Sequence, residues 1–92
     1  MVTQTGDGTF EFQVFLPHAG RVEVVGDFTD WQRQPLKLER HGPGWWTAAT
    51  RVPPGDHVFS YLVDGREWVP DYAAHGVTLM AQQRWLSRLI ST

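Results

Sequence analysis

The chain has 92 residues, which is enough for one domain and too few for two. Eight Lys and Arg against ten Asp and Glu give a net charge of −2, which argues against a surface for nucleic acid or for an anionic membrane. The absence of cysteine excludes disulfides, thiolate zinc sites and iron–sulfur clusters. The first residues do not resemble a signal peptide and no apolar run approaches the ~20 residues of a membrane-spanning helix, so a cytoplasmic protein or module is expected.

Short alternating segments separated by Gly, Pro and Asp run through most of the chain, as is typical of all-β sandwiches. Pro17 ends the first strand, and Asp64-Gly65 favours a two-residue type I′ hairpin turn. In the fourth strand Trp46 shares a face with Ala48 and Val52, which predicts a core position. The predicted strands cover residues 10–16, 22–25, 36–39, 45–52, 57–63 and 66–69.

The last residues allow two interpretations. Leu79, Leu86, Leu89 and Ile90 fit one face of a helix, but 85–91 also fits a closing strand. Six or seven short strands in about 90 residues predict an all-β, immunoglobulin-like β-sandwich of about seven antiparallel strands. We expect a single domain over residues 1–92.

Catalytic patterns are weak in this chain. The four histidines lie near turns with no i, i+4 pair, no serine sits in a nucleophile elbow, and no Gly-rich loop fits phosphate. The clustered carboxylates include Asp27, Asp30 and Asp64, and aspartate is a typical turn residue. A catalytic carboxylate usually has a pKa shifted by burial, and a thin sandwich offers little depth in which to bury one. The sequence therefore predicts a protein that is not an enzyme and that needs no metal and no cofactor.

The most informative segment is V-V-G-D-F-T-D-W-Q-R-Q-P-L, residues 24–36. It runs from a strand into a polar loop with two aromatic residues. Phe28, nearer the strand, is expected to fill the core. Trp31 is followed only by polar residues, so its ring is either folded back over the end of the sandwich or displayed to solvent.

Several blocks together resemble carbohydrate-binding module family 48, the glycogen-binding domain of the AMP-activated protein kinase β subunit and the N-terminal domains of glycogen branching and debranching enzymes. The blocks are F-x-V-F-L-P-H-A at 12–19, V-x-V-V-G-D-F-T-D-W at 22–31, P-P-G at 53–55 and H-V-F-S-Y-L-V-D-G-R-E-W at 57–68. The resemblance is strongest over residues 8–71.

This resemblance implies a non-catalytic early-set sandwich that binds α-1,4-glucan, as in glycogen, starch or maltooligosaccharides. Trp31 and Trp68 occupy the positions that stack on glucose in the family, and a rigid indole covers the C–H face of a pyranose at low entropic cost. Arg33, Lys37, Ser60 and Trp45 are further candidate carbohydrate-binding residues. Ser60 stands where the family has a sugar-binding Lys, and Gln82-Gln83 stands where the closing strand usually has Asn.

A second function remains open from sequence alone. The chain could be an interaction or accessory module that docks on a glucan-metabolising enzyme or regulatory partner through Trp45, Trp85 and the apolar tail, without binding sugar itself. The two functions differ in a geometric requirement. Glucan binding needs Trp31 and Trp68 to be accessible, on one face, and spaced for neighbouring glucose rings.

Overall fold

The computed structural model describes residues 1–71, 76–80 and 84–91, and these form two antiparallel sheets packed face to face. The predicted all-β sandwich is therefore confirmed. Sheet A has the strand order β1-β2-β6-β5, and sheet B has the order β4-β3-β7-β10-β9, with β8 beside β7. The strands are β1 (Val2–Gly6), β2 (Thr9–Phe15), β3 (Val22–Gly26), β4 (Leu36–Lys37), β5 (Glu39–His41), β6 (Trp45–Arg51), β7 (Gly55–Val63), β8 (Glu67–Val69), β9 (Val77–Met80) and β10 (Arg84–Ser91).

The described residues contain ten strands rather than about seven, partly because the third predicted strand is divided between the sheets. β4 pairs with β3 in sheet B, whereas β5 pairs with β6 in sheet A. The chain changes sheets at Leu38, whose N–H donates to the carbonyl of Val22 at 3.0 Å. Leu38 is buried between the sheets, so one apolar side chain anchors the crossover.

Of the two interpretations of the last residues, the strand is correct and the helix is wrong, because Arg84–Ser91 forms β10. β10 pairs with β7 from Ser87↔Phe59 to Ser91↔Gly55. β8 pairs with only part of one edge of β7. β10 pairs with the rest of that edge, so the backbone N–H and C=O groups there are also hydrogen-bonded. Leu86 and Leu89 of β10 are buried, while Ile90 is exposed.

Aromatic side chains fill the space between the sheets. Phe12 packs edge-on against Phe59 with ring centroids 5.2 Å apart, and Phe28 stacks on Phe12 at 6.0 Å. The predicted core position of Trp46 is confirmed, because this ring is 6% exposed and its indole N–H donates to the carbonyl of Leu16 at 3.0 Å. Such a bond satisfies the one polar group of a buried tryptophan.

One buried polar pair closes the core near β8. The phenol of Tyr61 donates to the carboxylate of Asp71 at 2.7 Å, and the N–H of Asp71 donates to the hydroxyl of Ser87. Burial, with the charge of Asp71 and this hydrogen bond, raises the pKa of Tyr61 above its ordinary value. The phenol is therefore held as a neutral donor.

The outer face of sheet B is also well covered. Phe59, Tyr61 and Val63 of β7 lie in the core, so the alternating residues Ser60 and Leu62 point to the opposite face. Both are nevertheless buried, at 0% and 5% exposure.

Candidate functional site

The loop after β3 is held tightly against β7. It comprises two short 3-10 turns, Asp27–Thr29 and Trp31–Arg33. At its start, a Cβ on Gly26 would lie 2.5 Å from the carbonyl oxygen of Val58. Only glycine permits this close approach of the two backbones.

Asp27 and His57 form the second attachment of the loop. The Asp27 carboxylate lies 2.8 Å from Nδ1 of His57 and accepts the N–H of Val58 at 3.3 Å. The other ring nitrogen of His57 lies 2.7 Å from the carbonyl of Pro53. These contacts connect the loop to the start of β7.

Thr29 and a strained backbone then direct Trp31. The buried hydroxyl of Thr29 accepts the N–H of Gly26 at 2.9 Å and lies 2.9 Å from the carbonyl of Trp31. Asp30 and Trp31 both have left-handed backbone angles, with φ of 53° and 55°. That conformation is uncommon for a bulky residue and costs about 1–3 kcal/mol, so it persists only where surrounding contacts impose it.

The β7–β8 hairpin presents Trp68. Asp64 and Gly65 have the positive φ values of a type I′ turn, 53° and 71°, as predicted. The strand pairing, however, places Val63 opposite Glu67, so the loop has one residue more than the predicted two. Trp68 consequently lies opposite Leu62 and points to the outer face of sheet B, because paired residues share a face.

Trp31 and Trp68 meet on this outer face. Their ring centroids lie 6.2 Å apart and their planes are inclined by 41°. Both side chains are half-buried, so each ring packs on the protein and retains a solvent-accessible part. The structure thus brings together, on one face, the two residues that the sequence analysis placed first.

The other candidates are distributed differently. Arg33 is exposed and lies 3.5 Å from the carboxylate of Asp30, and exposed Lys37 lies on the edge strand β4. Trp45 lies on sheet A, away from the Trp31–Trp68 pair.

The candidate Ser60 lies inside the protein rather than on the surface that carries Trp31 and Trp68. Ser60 is fully buried, and its hydroxyl donates to the carbonyl of Val69 at 3.2 Å or to that of Tyr61 at 3.3 Å. It therefore stabilises the β7–β8 pairing rather than facing a ligand. The difference at Gln82-Gln83 lies outside the described residues.

Glu23 shares the outer face of sheet B with Trp68 and was not among the candidates from sequence. Strand pairing places Lys37, Glu23, Leu62 and Trp68 in one row across the outer face of sheet B. The Glu23 carboxylate is mostly buried and lies 3.6 Å from the guanidinium of Arg21. The available signal in the sequence was a charged residue between Val22 and Val24 of a predicted strand.

Two further features of the described part of the chain bear on its function. It holds no group of three or more His, Cys, Asp or Glu side chains placed to bind a metal ion. Across the same residues, no helix has the length and apolar character to cross a membrane.

Comparisons with known proteins agree with this architecture. The profile of carbohydrate-binding module 48 (isoamylase N-terminal domain) matches residues 2–84. The chain is 43% identical over 58 residues to the 1,4-alpha-glucan branching enzyme GlgB of Salinibacter ruber, covering 62% of this chain and 9% of that enzyme. It is 33% identical over 64 residues to the malto-oligosyltrehalose trehalohydrolase of Brevibacterium helvolum, covering 70% of this chain and 11% of that enzyme.

A solved structure shows the same fold at low sequence identity. The catalytic module of the glycogen-degrading pneumococcal virulence factor SpuA superposes with a TM-score of 0.74 at 14% identity, covering 99% of this chain and 16% of that chain. The chain therefore spans only about a tenth of the length of the curated relatives named above. The profile match and the sandwich together show that the chain belongs to the carbohydrate-binding module 48 family.

Proposed function

We propose that this domain binds α-1,4-glucan chains, as in glycogen or starch, without acting on them chemically. The observation that carries the proposal is the pair of half-exposed indoles, Trp31 and Trp68, inclined by 41° on one face of the sandwich. A flat indole offers dispersion contact to the C–H face of a glucose ring and is already ordered before binding.

The inclination of the two rings supports a curved ligand. Adjacent glucose units in an α-1,4-glucan turn steadily along the chain, so their faces are not coplanar. Two indoles at 41°, with centroids 6.2 Å apart, present surfaces that follow such a turn. A flat, extended glucan would favour coplanar rings.

The backbone strain at Trp31 supports a role in binding. A φ of 55° at a tryptophan costs stability, and the fold requires no tryptophan at that loop position for its core. Phe28, three residues earlier, already packs against the core. The buried hydroxyl of Thr29 holds the strained segment in place.

Polar side chains around the rings can orient the sugar hydroxyls. Arg33 follows Trp31 in the same 3-10 turn, and Glu23 and Lys37 share the row of Trp68. Each hydrogen bond to a hydroxyl contributes about 1 kcal/mol net. We therefore expect modest affinity for one short chain, increased on a branched polymer by multiple chain ends.

The relatives support this substrate class. The matched enzymes are named for the branching of 1,4-alpha-glucan and for malto-oligosyltrehalose, both of which are glucose-based. Their catalytic function is not transferred to this chain, because the match covers about a tenth of each enzyme. A binding role fits a thin sandwich whose candidate site is a surface platform.

Electrophoresis in a native gel containing glycogen tests the proposal. We expect glycogen to retard the wild-type protein, and Trp31→Ala or Trp68→Ala to migrate as in a gel without polysaccharide. Trp31→Phe retains part of the aromatic surface and should show intermediate retardation. A gel containing a soluble β-1,4-glucan controls for linkage and should leave mobility unchanged.

Two results would contradict the proposal. Equal wild-type mobility with and without glycogen would exclude useful glucan binding and favour a docking module. Conversion of maltoheptaose to other products, measured by chromatography after incubation with the purified domain, would contradict the non-catalytic role.

A further inference from the structure

A second aromatic pair lies on the opposite side of the sandwich. Phe15 and Trp45 are 47% and 42% exposed, and their ring centroids lie 5.1 Å apart. They face each other across the β2–β6 pairing. Because Phe12 and Trp46 of the same strands lie in the core, alternation places Phe15 and Trp45 on the outer face of sheet A.

An open groove of about 360 Å³ lies beyond this pair. Thr47 lines it two residues along β6 from Trp45, and Ala49 continues the same face. Glu11 and Glu39 also line the groove, together with Leu36, Lys37 and Ala48. Small residues and side chains with hydrogen-bonding groups therefore follow directly after an exposed aromatic platform.

We propose that this face of sheet A is a second α-glucan site, with one glucose ring on Trp45 and the following units along the groove. This inference rests on the proposed function and extends it. Carboxylates accept hydrogen bonds from neutral sugar hydroxyls, while the hydroxyl of Thr47 can donate to ring and hydroxyl oxygens. The pattern of one aromatic platform followed by polar groups suits a polyhydroxylated chain.

The composition of this surface disfavours a protein partner. A stable interface buries about 800 Å² on each side and has an apolar core. Here two rings are followed mainly by charged and small residues, and Leu36 is the one larger apolar residue of the groove lining. A second copy of this chain would have to bury the carboxylates of Glu11 and Glu39 against their own counterparts, which costs desolvation energy.

Two sites on opposite faces have a functional consequence. The smallest dimension of the domain is 24 Å. A short oligosaccharide stacked on Trp31 and Trp68 cannot also reach Trp45, so the two sites would take different chains or different branches of one polymer. The domain would therefore bridge glucan chains, and its affinity for a branched polymer would exceed that of either site.

Nuclear magnetic resonance of the tryptophan indole N–H groups separates the two sites in one titration. With maltoheptaose, we expect the indole signals of Trp31 and Trp68 to shift with one dissociation constant and that of Trp45 to shift with its own. The buried indole of Trp46 serves as an internal reference. In Trp31→Ala, the Trp45 signal should still shift.

Variants of the second site complete the experiment. Trp45→Ala should weaken binding there about tenfold, as expected for the loss of one stacking ring. Because this variant lacks the Trp45 indole, its binding is measured from the backbone amide signals of Thr47 and Ala49. Glu39→Ala removes an exposed carboxylate without changing a ring and should weaken the same site several-fold. Neither should change the shifts of Trp31 and Trp68, and retention of the wild-type thermal midpoint shows that the variants are folded.

Bridging gives a second readout. Wild type should increase the turbidity of a glycogen solution, whereas Trp31→Ala and Trp45→Ala, each with one remaining site, should not.

A Trp45 signal unmoved by saturating maltoheptaose, while Trp31 and Trp68 respond, would overturn the second site alone. No response at any tryptophan would overturn the proposed function itself. A dimer in sedimentation that Trp45→Ala abolishes would assign this face to self-association instead.

Discussion

Thr29 provides a direct test of how the loop holds Trp31. Its side chain is 7% exposed, and its hydroxyl accepts the N–H of Gly26 at 2.9 Å. The same oxygen lies 3.0 Å from the carbonyl of Gly26 and 2.9 Å from that of Trp31. A hydroxyl has one proton and donates to one carbonyl at a time, so Thr29 makes two hydrogen bonds at once.

Thr29→Val removes both bonds and retains the shape of the side chain. At about 1 kcal/mol each, the loss is about 2 kcal/mol, and more if the N–H of Gly26 remains buried without a partner. For a domain of this size, about 2 kcal/mol lowers the midpoint of thermal unfolding by about 8–16 °C. Thr29→Ser keeps the hydroxyl and loses one methyl group, so it should cost about 1 kcal/mol or less.

Thermal and urea unfolding followed by circular dichroism measure these differences. Glycogen affinity should also fall in Thr29→Val at a temperature where the protein is folded, because the carbonyl of Trp31 loses a donor. A Thr29→Val midpoint within about 2 °C of wild type would refute the reasoning. Equal destabilisation by Ser and Val would assign the effect to packing rather than to the hydroxyl.

Three further predictions concern the supports of the site. Gly26→Ala should cost about 3 kcal/mol or prevent folding, because its Cβ would lie 2.5 Å from the carbonyl oxygen of Val58; urea unfolding measures the loss. Tyr61→Phe should lower stability by about 1.5–3 kcal/mol at pH 7, since it removes the donor to Asp71. In the wild type, the pKa of Tyr61 is raised in the folded protein above its ordinary value of 10.0, which applies to the unfolded chain. Its contribution to the free energy of unfolding is therefore complete below pH 10.0 and declines by about 1.4 kcal/mol per pH unit above it. Asp64→Ala should cost about 1–2 kcal/mol, because the carboxylate accepts two backbone N–H groups from the β2–β3 connection, at 2.8 and 2.9 Å, and Asp64→Asn should cost less.

Each of these predictions has a contradicting result. Wild-type stability in Gly26→Ala would show that the loop can move away from β7. An identical decline above pH 10.0 in the wild type and Tyr61→Phe would remove Tyr61 as its cause. Equal unfolding midpoints for Asp64→Ala and the wild type would show that the hairpin is held by strand pairing alone.

Much of the fold follows from local pattern. Alternation along 10–16 and 57–63 predicts the strands that became β2 and β7, since a period of two is required of any strand with one buried face. The crossover at Leu38 was not predictable in this way. Leu36 and Leu38 alternate as in one strand, and only pairing with two different partners divides the segment between the sheets.

The face of Trp68 shows why the site was harder to predict than the strands. A two-residue loop at Asp64-Gly65 would place Trp68 opposite Tyr61 and turn its ring into the core. The observed pairing includes one more residue in the loop, so Trp68 lies opposite Leu62. Local residue preferences identify the turn, but a shift of one residue decides which side of the sheet receives the ring.

The tryptophans of this short chain separate what residue order determined from what tertiary structure decided. Residue order alone determined the all-β class, the core position of Trp46, and the loop and hairpin that contain Trp31 and Trp68. Tertiary structure decided that these two distant rings meet at 6.2 Å, that Ser60 lies buried, and that Trp45 stands on the other sheet. The reason is physical: strand register and sheet membership depend on contacts between residues far apart in sequence, which no local pattern encodes.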